Sequence, residues 1–130
     1  MISAKDFGAV GDGVTDDTKA IQAWASQTSQ RHLSEGTYLI SETIVFAPGG
    51  EVLGYNGTLK LSDGFSGRSV WVCRGIPYKP TLIEGFTVDM NKQNIWLASQ
   101  KESSWVTINN NIIENTYSDD TGMIFDVESE

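Results

Sequence analysis

The apolar residues of this chain change their spacing after the first quarter of the sequence. Ala20, Ile21, Trp24 and Ala25 fall on one side of a helix, because a helical face repeats about every 3.6 residues. Beyond residue 31 the apolar residues come in short runs, which Gly, Asn, Asp, Ser and Pro separate. The pattern predicts one amphipathic helix, ending near residues 28–31, and then many short β-strands.

Strands are predicted where Val, Ile, Thr, Phe and Trp concentrate, since these residues favour a pleated, half-buried surface. In chain order they are Thr37–Ile40, Thr43–Phe46, Glu51–Leu53, Thr58–Leu61, Val70–Cys73, Thr81–Ile83, Phe86–Asp89, Ile95–Ala98, Val106–Ile108, Ile112–Ile113 and Met123–Val127. Many short strands with frequent turns fit a sandwich, a barrel or a β-solenoid.

A weak internal repeat favours the solenoid. Three residues recur after 24 positions: Leu82, Val88 and Asn91 return as Val106, Ile112 and Asn115. A shift of one residue aligns the two segments nearly as well. A separation of this size is typical of stacked repeats, and amides in the asparagine-rich segment 108–115 could hydrogen-bond from one repeat to the next. The alternative for that segment is a polar loop.

A glycine-rich turn precedes the predicted helix. Its glycines, Gly8, Gly11 and Gly13, permit backbone angles that a β-carbon forbids. Asp16 and Asp17 follow, and we expect their carboxylates to accept hydrogen bonds from the unpaired N–H groups of the first helical turn. Together these residues predict a turn and a capped helix start.

Residues 5–24, K-D-F-G-A-V-G-D-G-V-T-D-D-T-K-A-I-Q-A-W, carry a resemblance to a known family. They resemble the opening motif of the pectate-lyase-like superfamily, which includes many bacteriophage tailspikes and tail-associated depolymerases. A looser likeness continues through Glu35–Ser41 and Thr43–Gly50. The resemblance implies an all-β fold: a right-handed, single-stranded parallel β-helix with an N-terminal amphipathic capping α-helix.

The same resemblance implies one domain in two parts. Residues 1–34 would form an N-terminal strand, the glycine-rich turn and the capping helix, with Ile21 and Trp24 covering the first rung. Residues 35–130 would form the rungs. Complete depolymerases of this family are several times longer, so we expect the chain to be the N-terminal fragment of a longer protein.

Composition narrows the classes of partner. The net charge is −8, and the nine basic residues are scattered, which argues against nucleic acid and anionic membranes. One cysteine, Cys73, allows no internal disulfide. No segment has the pattern of a signal peptide or the length to insert in a membrane.

The densest acidic cluster, Asp12, Asp16 and Asp17, lacks the alternating ligands of a calcium loop. We therefore expect turn and capping roles for these residues, and we expect neither a metal nor a cofactor. The lone histidine, His32, is predicted to lie at the C-terminal end of the helix, where a cation is favoured.

Glycoside hydrolysis needs two carboxylates, about 5 Å apart or up to roughly 9.5 Å apart. The candidates on or beside predicted strands are Glu84, Asp89, Glu114, Asp119 and Asp120. The 24-residue alignment sets Asp89 over Ile113 and Glu114 over Met90, so it brings no pair of acids into register. Each acid is therefore expected to be a solvated, outward residue.

Two tryptophans, Trp96 and Trp105, lie among polar residues at or near predicted strands. An outward tryptophan can stack on the apolar face of a sugar ring, so both are candidates for carbohydrate binding. Core packing and contact with a neighbouring subunit are the alternatives.

The resemblance implies an N-terminal β-helix segment of a phage tailspike-like, carbohydrate-active protein that binds or depolymerises bacterial surface polysaccharide. We expect the isolated chain to be inactive, although the parent family contains polysaccharide lyases and glycoside hydrolases. Family tailspikes assemble as trimers, so the resemblance implies a homotrimer. It also implies a location in the phage virion tail, or outside the cell after lysis. Two alternatives stay open: a non-catalytic structural or adaptor module of a phage tail, and a small polysaccharide lyase or glycoside hydrolase.

Overall fold

The computed structural model describes residues 2–73, 79–101, 106–117 and 125–128. The elements in chain order are β1 (Ile2–Ser3), a short 3-10 helix (Ala4–Phe7), β2 (Asp12–Asp16), α1 (Thr18–Ala25), β3 (Arg31–His32), β4 (Gly36–Phe46), β5 (Gly50–Leu53), β6 (Gly57–Cys73), β7 (Thr81–Glu84), β8 (Thr87–Asp89), β9 (Trp96–Lys101), β10 (Val106–Asn109), β11 (Ile112–Glu114) and β12 (Phe125–Glu128). Among the described residues, one α-helix stands among many strands, as the hydrophobic pattern predicts, although β4 and β6 are long.

All strand pairs in the described residues are parallel, and they form three ladders. The first ladder runs β1-β3-β5-β7-β10, and the second runs β2-β4-β6-β8-β11. The third ladder pairs the later part of β4 with that of β6, then β9, then β12. Because each turn of the chain adds one strand to each ladder, the molecule is a parallel β-helix, and the predicted fold class is confirmed.

Four turns of the β-helix are described, and we number them as rungs. Rung 1 is β3 and β4, rung 2 is β5 and β6, rung 3 is β7 to β9, and rung 4 is β10 to β12. Before rung 1 come β1 and β2, which join the first and second ladders, and then α1. Helix α1 therefore occupies the position at which the third ladder would otherwise have its first strand.

The repeat between rungs 3 and 4 is 25 residues, so the predicted value of 24 is wrong. Thr81 pairs with Val106, and Thr87 pairs with Ile112. The shorter repeat aligned Leu82 with Val106 because both are aliphatic. Leu82 points outward and Thr81 is buried, however, and a slip of one residue exchanges the two faces of a strand.

Two strands join segments that were predicted separately, and the helix is shorter than predicted. β4 and β6 each continue from the second ladder into the third, with register shifts between Ile40 and Ile44 that let the chain bend without breaking the strand. Helix α1 ends at Ala25, well before residues 28–31, because the chain must leave the helix to begin β3.

The interior of the β-helix is continuous with the face of α1. Ile21 and Trp24 have no exposed surface, and Trp24 meets Phe46 edge-on with 6.1 Å between ring centroids. The aromatic contacts continue from Phe46 to Trp71 at 5.9 Å and from Trp71 to Phe86 at 5.5 Å. Each such pair adds about 0.5–1.5 kcal/mol beyond area burial. The aromatic rings thus link α1 to rungs 1, 2 and 3.

Candidate functional site

Two side chains and the last carbonyl group of α1 form hydrogen bonds with the backbone groups along the edge of β4 and just after it. Thr18 Oγ1 accepts from the Ser41 N–H over 2.8 Å. The Gln22 carboxamide accepts from the Val45 N–H and donates to the Val45 carbonyl, both over 2.9 Å. The Ala47 N–H then donates to the carbonyl of Ala25 over 3.0 Å. These contacts replace the hydrogen bonds that a preceding strand would make, and an unpaired edge would invite aggregation.

The side chain of Asp17 holds the loop before α1 and does not cap the helix. Asp17 is only 3% exposed, and its carboxylate accepts from the N–H groups of Val10 and Gly11, each over 2.9 Å. The expectation that Asp17 caps the helix with its side chain is wrong. Its backbone has φ −95° and ψ 12°, whereas a capping residue is usually extended, so the carboxylate is aimed back at the loop.

Asp16 does accept a hydrogen bond from the first turn of the helix, as the sequence predicts. Its Oδ1 accepts from the N–H of Thr18 over 3.0 Å and from the Thr18 hydroxyl. The hydroxyl and then the amide of Thr18 lower the pKa of Asp16 below its usual value. Asp12 makes a similar turn: its Oδ1 accepts from the N–H of Thr15 over 2.7 Å, and its pKa is lowered chiefly by that bond.

The glycine-rich turn packs closely against the start of β4. Gly8, Gly11 and Gly13 have φ of 93°, 73° and 77°, the left-handed region. A Cβ on Gly11 would lie 3.0 Å from the ring of Tyr38, which is fully buried. The Thr37 N–H donates to the carbonyl of Gly11 over 3.0 Å. Only glycine permits both the angle and the approach here.

The cation at the C-terminal end of α1 is Arg31, not His32. Arg31 has no exposed surface. Its guanidinium donates to the carbonyls of Ala25 over 2.7 Å, Ala47 over 3.2 Å and Gly49 over 2.6 Å. Because α1 ends earlier than predicted, His32 lies on β3 instead, where its ring nitrogen Nε2 is 3.1 Å from the carbonyl oxygen of Tyr55.

Burial controls the ionisation of the groups around Arg31. Desolvation lowers the pKa of Arg31, while the nearby Cys73 opposes that change. Burial raises the pKa of Cys73 to about 11, so its thiol stays protonated at neutral pH. A buried thiol of this kind is a structural residue, since the thiolate is the reactive form.

Two candidate acids are in register on the outer face of the second ladder. The register aligns Lys60 with Asp89 and Asp89 with Glu114, and Asp89 and Glu114 point outward. The expectation that no two acids align is wrong, because the repeat is 25 residues. Neighbouring strands lie about 4.8 Å apart. This backbone spacing resembles the carboxylate separation of about 5 Å in retaining glycosidases.

Asp89 also has a structural role at the corner after β8. Its Oδ1 accepts from the N–H of Asn91 over 2.9 Å and from Asn115 Nδ2 over 3.0 Å. One rung earlier, Asn91 Nδ2 donates to Asp63 Oδ1 over 2.8 Å. The predicted contacts between rungs therefore exist, but each carboxamide donates to a carboxylate of the preceding rung rather than to another side-chain amide. Asn91 Nδ2 also donates to the Leu61 carbonyl over 3.1 Å. We call these four residues, Asp63, Asn91, Asp89 and Asn115, the corner column.

Glu84 lies apart from that pair. It ends β7 in the first ladder, and its Oε1 accepts from Asn109 Nδ2 over 3.0 Å and from Asn110 Nδ2 over 3.4 Å. Trp96 begins β9, opposite Ser69, and is half-buried. Asp119, Asp120 and Trp105 lie outside the described residues. Of the candidate acids that the structure describes, Asp89 and Glu114 are thus the pair in register on adjacent strands.

A groove of about 380 Å³ lies between α1 and β4. It is lined by Thr18, Lys19, Gln22, Ala23, Ser26, Glu42 and Thr43, and most of the lining surface is apolar. Within the described part of the chain, no three His, Cys, Asp or Glu side chains converge as metal ligands would. Nor is any described helix long and apolar enough to cross a membrane.

The three ladders and the cap agree with a comparison against known families. The chain matches the family described as rhamnogalacturonase A/epimerase, pectate lyase-like, over residues 1–127. It belongs to this family. No solved structure gives a significant match to the chain.

Three curated relatives match shorter segments of the chain. A glucan 1,3-beta-glucosidase of Cochliobolus carbonum is 42% identical over 58 residues, covering 42% of this chain and 7% of the relative. A plasmin and fibronectin-binding protein A of Streptococcus pneumoniae is 38% identical over 71 residues, 50% of this chain and 10% of the relative. A mannuronan C5-epimerase of Azotobacter vinelandii is 41% identical over 69 residues, 49% of this chain and 4% of the relative. The matches therefore span a tenth or less of each relative's length.

Proposed function

We propose that this chain begins and caps the β-helix of a polysaccharide-active protein. The observation that carries the proposal is the position of α1, which stands in place of a strand. Its residues Thr18, Gln22 and Ala25 accept hydrogen bonds from backbone N–H groups along and just after β4. A segment with this geometry prevents edge-to-edge pairing at one end of a solenoid and gives the first rung a surface on which to fold.

The carbohydrate part of the proposal draws on the relatives. Two of the three are named for action on polysaccharides, a glucan and mannuronan, and the family description names a rhamnogalacturonase and an epimerase. The activity belongs to the whole protein in this proposal, because the matched segments are small parts of the relatives. The isolated chain is expected to bind saccharide weakly and to release no product.

The finer proposal is a phage tailspike-like protein that binds or depolymerises bacterial surface polysaccharide. It rests on the opening motif, residues 5–24, whose tethered turn and capping helix resemble those of tailspikes. On the same terms we propose a homotrimer located in the virion tail. A trimer would be detected as a threefold mass in sedimentation of the intact chain.

A panel of bacterial capsular polysaccharides and lipopolysaccharides tests the proposal. We expect at least one to raise the thermal unfolding temperature, with no release of reducing ends or unsaturated uronate. The variant Trp96→Ala should lower the apparent affinity for that polysaccharide, obtained from the concentration dependence of the temperature shift, at least fivefold. Trp96→Phe keeps an aromatic ring that can stack on sugar, so it should retain most of the affinity. A flat response across the panel would contradict saccharide binding and favour an adaptor module.

A second candidate function is glycoside hydrolysis by this chain itself. The observation that favours it is the register of Asp89 with Glu114, which sets two outward acids on adjacent strands. One would act as the proton donor and the other as the nucleophile of a retaining mechanism. Release of reducing sugar by the wild type, abolished in Glu114→Gln and kept in the exposed-site control Glu35→Gln, would establish it.

A further inference from the structure

The ring of Tyr55, which lies between β5 and β6 of rung 2, is held flat against rung 3. A Cβ on Gly85 would lie 2.7 Å from each of three consecutive ring carbons of Tyr55, namely Cδ1, Cε1 and Cζ. A point at equal distances from three consecutive ring carbons lies over the ring and not at its edge. One face of the Tyr55 ring therefore rests on the backbone of Gly85, which has φ 79° and carries no side chain.

The opposite face of the Tyr55 ring is open to solvent. Tyr55 is 42% exposed, which fits a side chain with one of its two faces covered. The backbone on either side is anchored, because the Gly54 N–H donates to the Glu84 carbonyl over 2.8 Å. The Tyr55 carbonyl oxygen lies 3.1 Å from His32 Nε2 on rung 1. A ring fixed in this way can receive a ligand with little further loss of conformational entropy.

A carboxylate and two carboxamides lie beside this ring. Glu84 directly precedes Gly85 and is in register with Asn109 of rung 4. Asn109 and Asn110 are exposed, and both donate to the same oxygen, Glu84 Oε1. Among the described residues, Glu84 Oε2 accepts no hydrogen bond, so it is available to a ligand. We call these five residues, Tyr55, Glu84, Gly85, Asn109 and Asn110, the Tyr55 patch.

We propose that the Tyr55 patch binds a neutral pyranose unit of a polysaccharide. This inference rests on the saccharide binding proposed above and adds a site apart from Trp96. The apolar C–H face of the sugar stacks on the open face of the Tyr55 ring. Hydroxyl groups at the edge of the sugar donate to Glu84 Oε2, and hydrogen bonds to an ionised acceptor are the stronger kind.

The charge of the Tyr55 patch favours a neutral sugar over an acidic one. Glu84 is its one ionisable acid, and the patch contains no cationic side chain. The chain as a whole carries a net charge of −8. A uronate placed on the Tyr55 ring would bring a second carboxylate close to Glu84, and like charges at that distance repel.

A cationic ligand fits the Tyr55 patch less well than a sugar does. Quaternary ammonium groups are recognised by cages of several aromatic rings, whereas this patch has a single ring lying flat. An open, flat ring matches the flat face of a pyranose instead. Choline is therefore the competing ligand in the test.

The test titrates the intact chain with neutral oligosaccharides of glucose, mannose and galactose, with an oligogalacturonate and with choline, and follows the backbone amides by NMR. Tyr55→Ala removes the ring, and Tyr55→Phe keeps it. Tyr117→Ala is the matched control, because Tyr117 is also an exposed tyrosine. An unchanged resonance of the Leu59 amide, which lies inside the ladders, shows that each variant keeps the fold.

We expect at least one neutral oligosaccharide to shift the Gly85 amide and to bind at least tenfold more tightly than the oligogalacturonate. Tyr55→Ala should weaken that binding at least fivefold, whereas Tyr55→Phe and Tyr117→Ala should change it less than twofold. Glu84→Gln removes the charge and keeps the shape, so it should narrow the preference for the neutral sugar at least threefold.

Three results would overturn the inference: equal affinity for neutral and acidic sugars, equal losses in Tyr55→Ala and Tyr117→Ala, or tighter binding of choline than of any neutral sugar. A polysaccharide that raises the unfolding temperature of the wild type and of Tyr55→Ala equally would overturn this site and leave saccharide binding itself standing. Binding of no saccharide at all would contradict both.

Discussion

The guanidinium of Arg31 donates a hydrogen bond of 2.7 Å to the carbonyl of Ala25, the last residue of α1. The cation thus lies at the negative end of the helix dipole. The same side chain reaches Gly49 in the turn after rung 1, so it joins the cap to the first rung. The charge is fully buried, and the hydrogen bonds from Nη1 and Nη2 to carbonyls compensate for part of the loss of water. Nε has no partner among the described residues.

Replacing Arg31 with Met should destabilise the protein by roughly 2–4 kcal/mol, because buried carbonyls would lose a charged donor. Urea unfolding at neutral pH measures the effect. Lys19→Met is the matched control, since it removes an exposed cation from α1, and it should change stability by less than about 0.5 kcal/mol. Equal effects from the two variants would show that Arg31 does not join cap and rung.

Gln22→Leu should weaken the seal between α1 and β4 while keeping the helix. The variant loses the two hydrogen bonds to Val45 and exposes the backbone groups of that residue to water. The free energy of unfolding should fall by about 1–2 kcal/mol. Gln27→Leu, two residues after the helix, is the control, because the Gln27 side chain bonds only locally, to the Ala23 carbonyl. If chemical unfolding finds the Gln27 variant as unstable as the Gln22 variant, the seal contributes nothing.

Substitution by Phe should lower the stability of the protein by different amounts at the two interior tryptophans, Trp24 and Trp71. Both are fully buried, but Trp24 Nε1 donates to the Ile2 carbonyl over 3.0 Å, whereas Trp71 Nε1 finds no acceptor among the described residues. Trp24→Phe should therefore cost about 1 kcal/mol more than Trp71→Phe, since only the first leaves a carbonyl unpaired. Thermal unfolding of the two variants side by side measures the difference, and the reverse order would contradict it.

Acid should loosen the turn before α1. The pKa of Asp16 is lowered from 3.8 in the folded chain, so its ionised form stabilises the fold above that pH. The contribution is lost as the pH falls through the folded pKa. The unfolding temperatures of the wild type and Asp16→Asn should therefore differ at neutral pH, and the difference should shrink as the pH falls below 3.8 and through the folded pKa. A difference that stays constant from pH 7 to 2.5 would rule out this linkage.

The capping helix and the tight turn were predictable because their signals are local. The apolar stripe of Ile21 and Trp24 follows a helical period, and glycine at Gly11 is the residue that a left-handed angle favours. The short strands were also predictable, since β-branched residues cluster in them. The corner-turning course of β4 and β6 was not, because a register shift depends on the neighbouring rung.

The candidate site depended on the repeat, and a repeat seen twice leaves the register ambiguous by one residue. Choosing 24 over 25 separated Asp89 from Glu114, which the structure aligns. The role of Arg31 was assigned to its neighbour His32, because the pattern does not reveal which of two adjacent residues points inward. In each case a contact between distant segments decides the outcome.

Amide exchange at Val45 tests the central claim most directly, because that N–H donates to α1 only if the helix stands in place of a strand. We expect the Val45 and Ala47 amides to exchange as slowly as the amide of Leu59, which lies inside the ladders, in the intact wild-type chain near pH 7. Exchange at Val45 and Ala47 at the rate of an open strand edge, with Leu59 still protected, would show that α1 does not seal the β-helix.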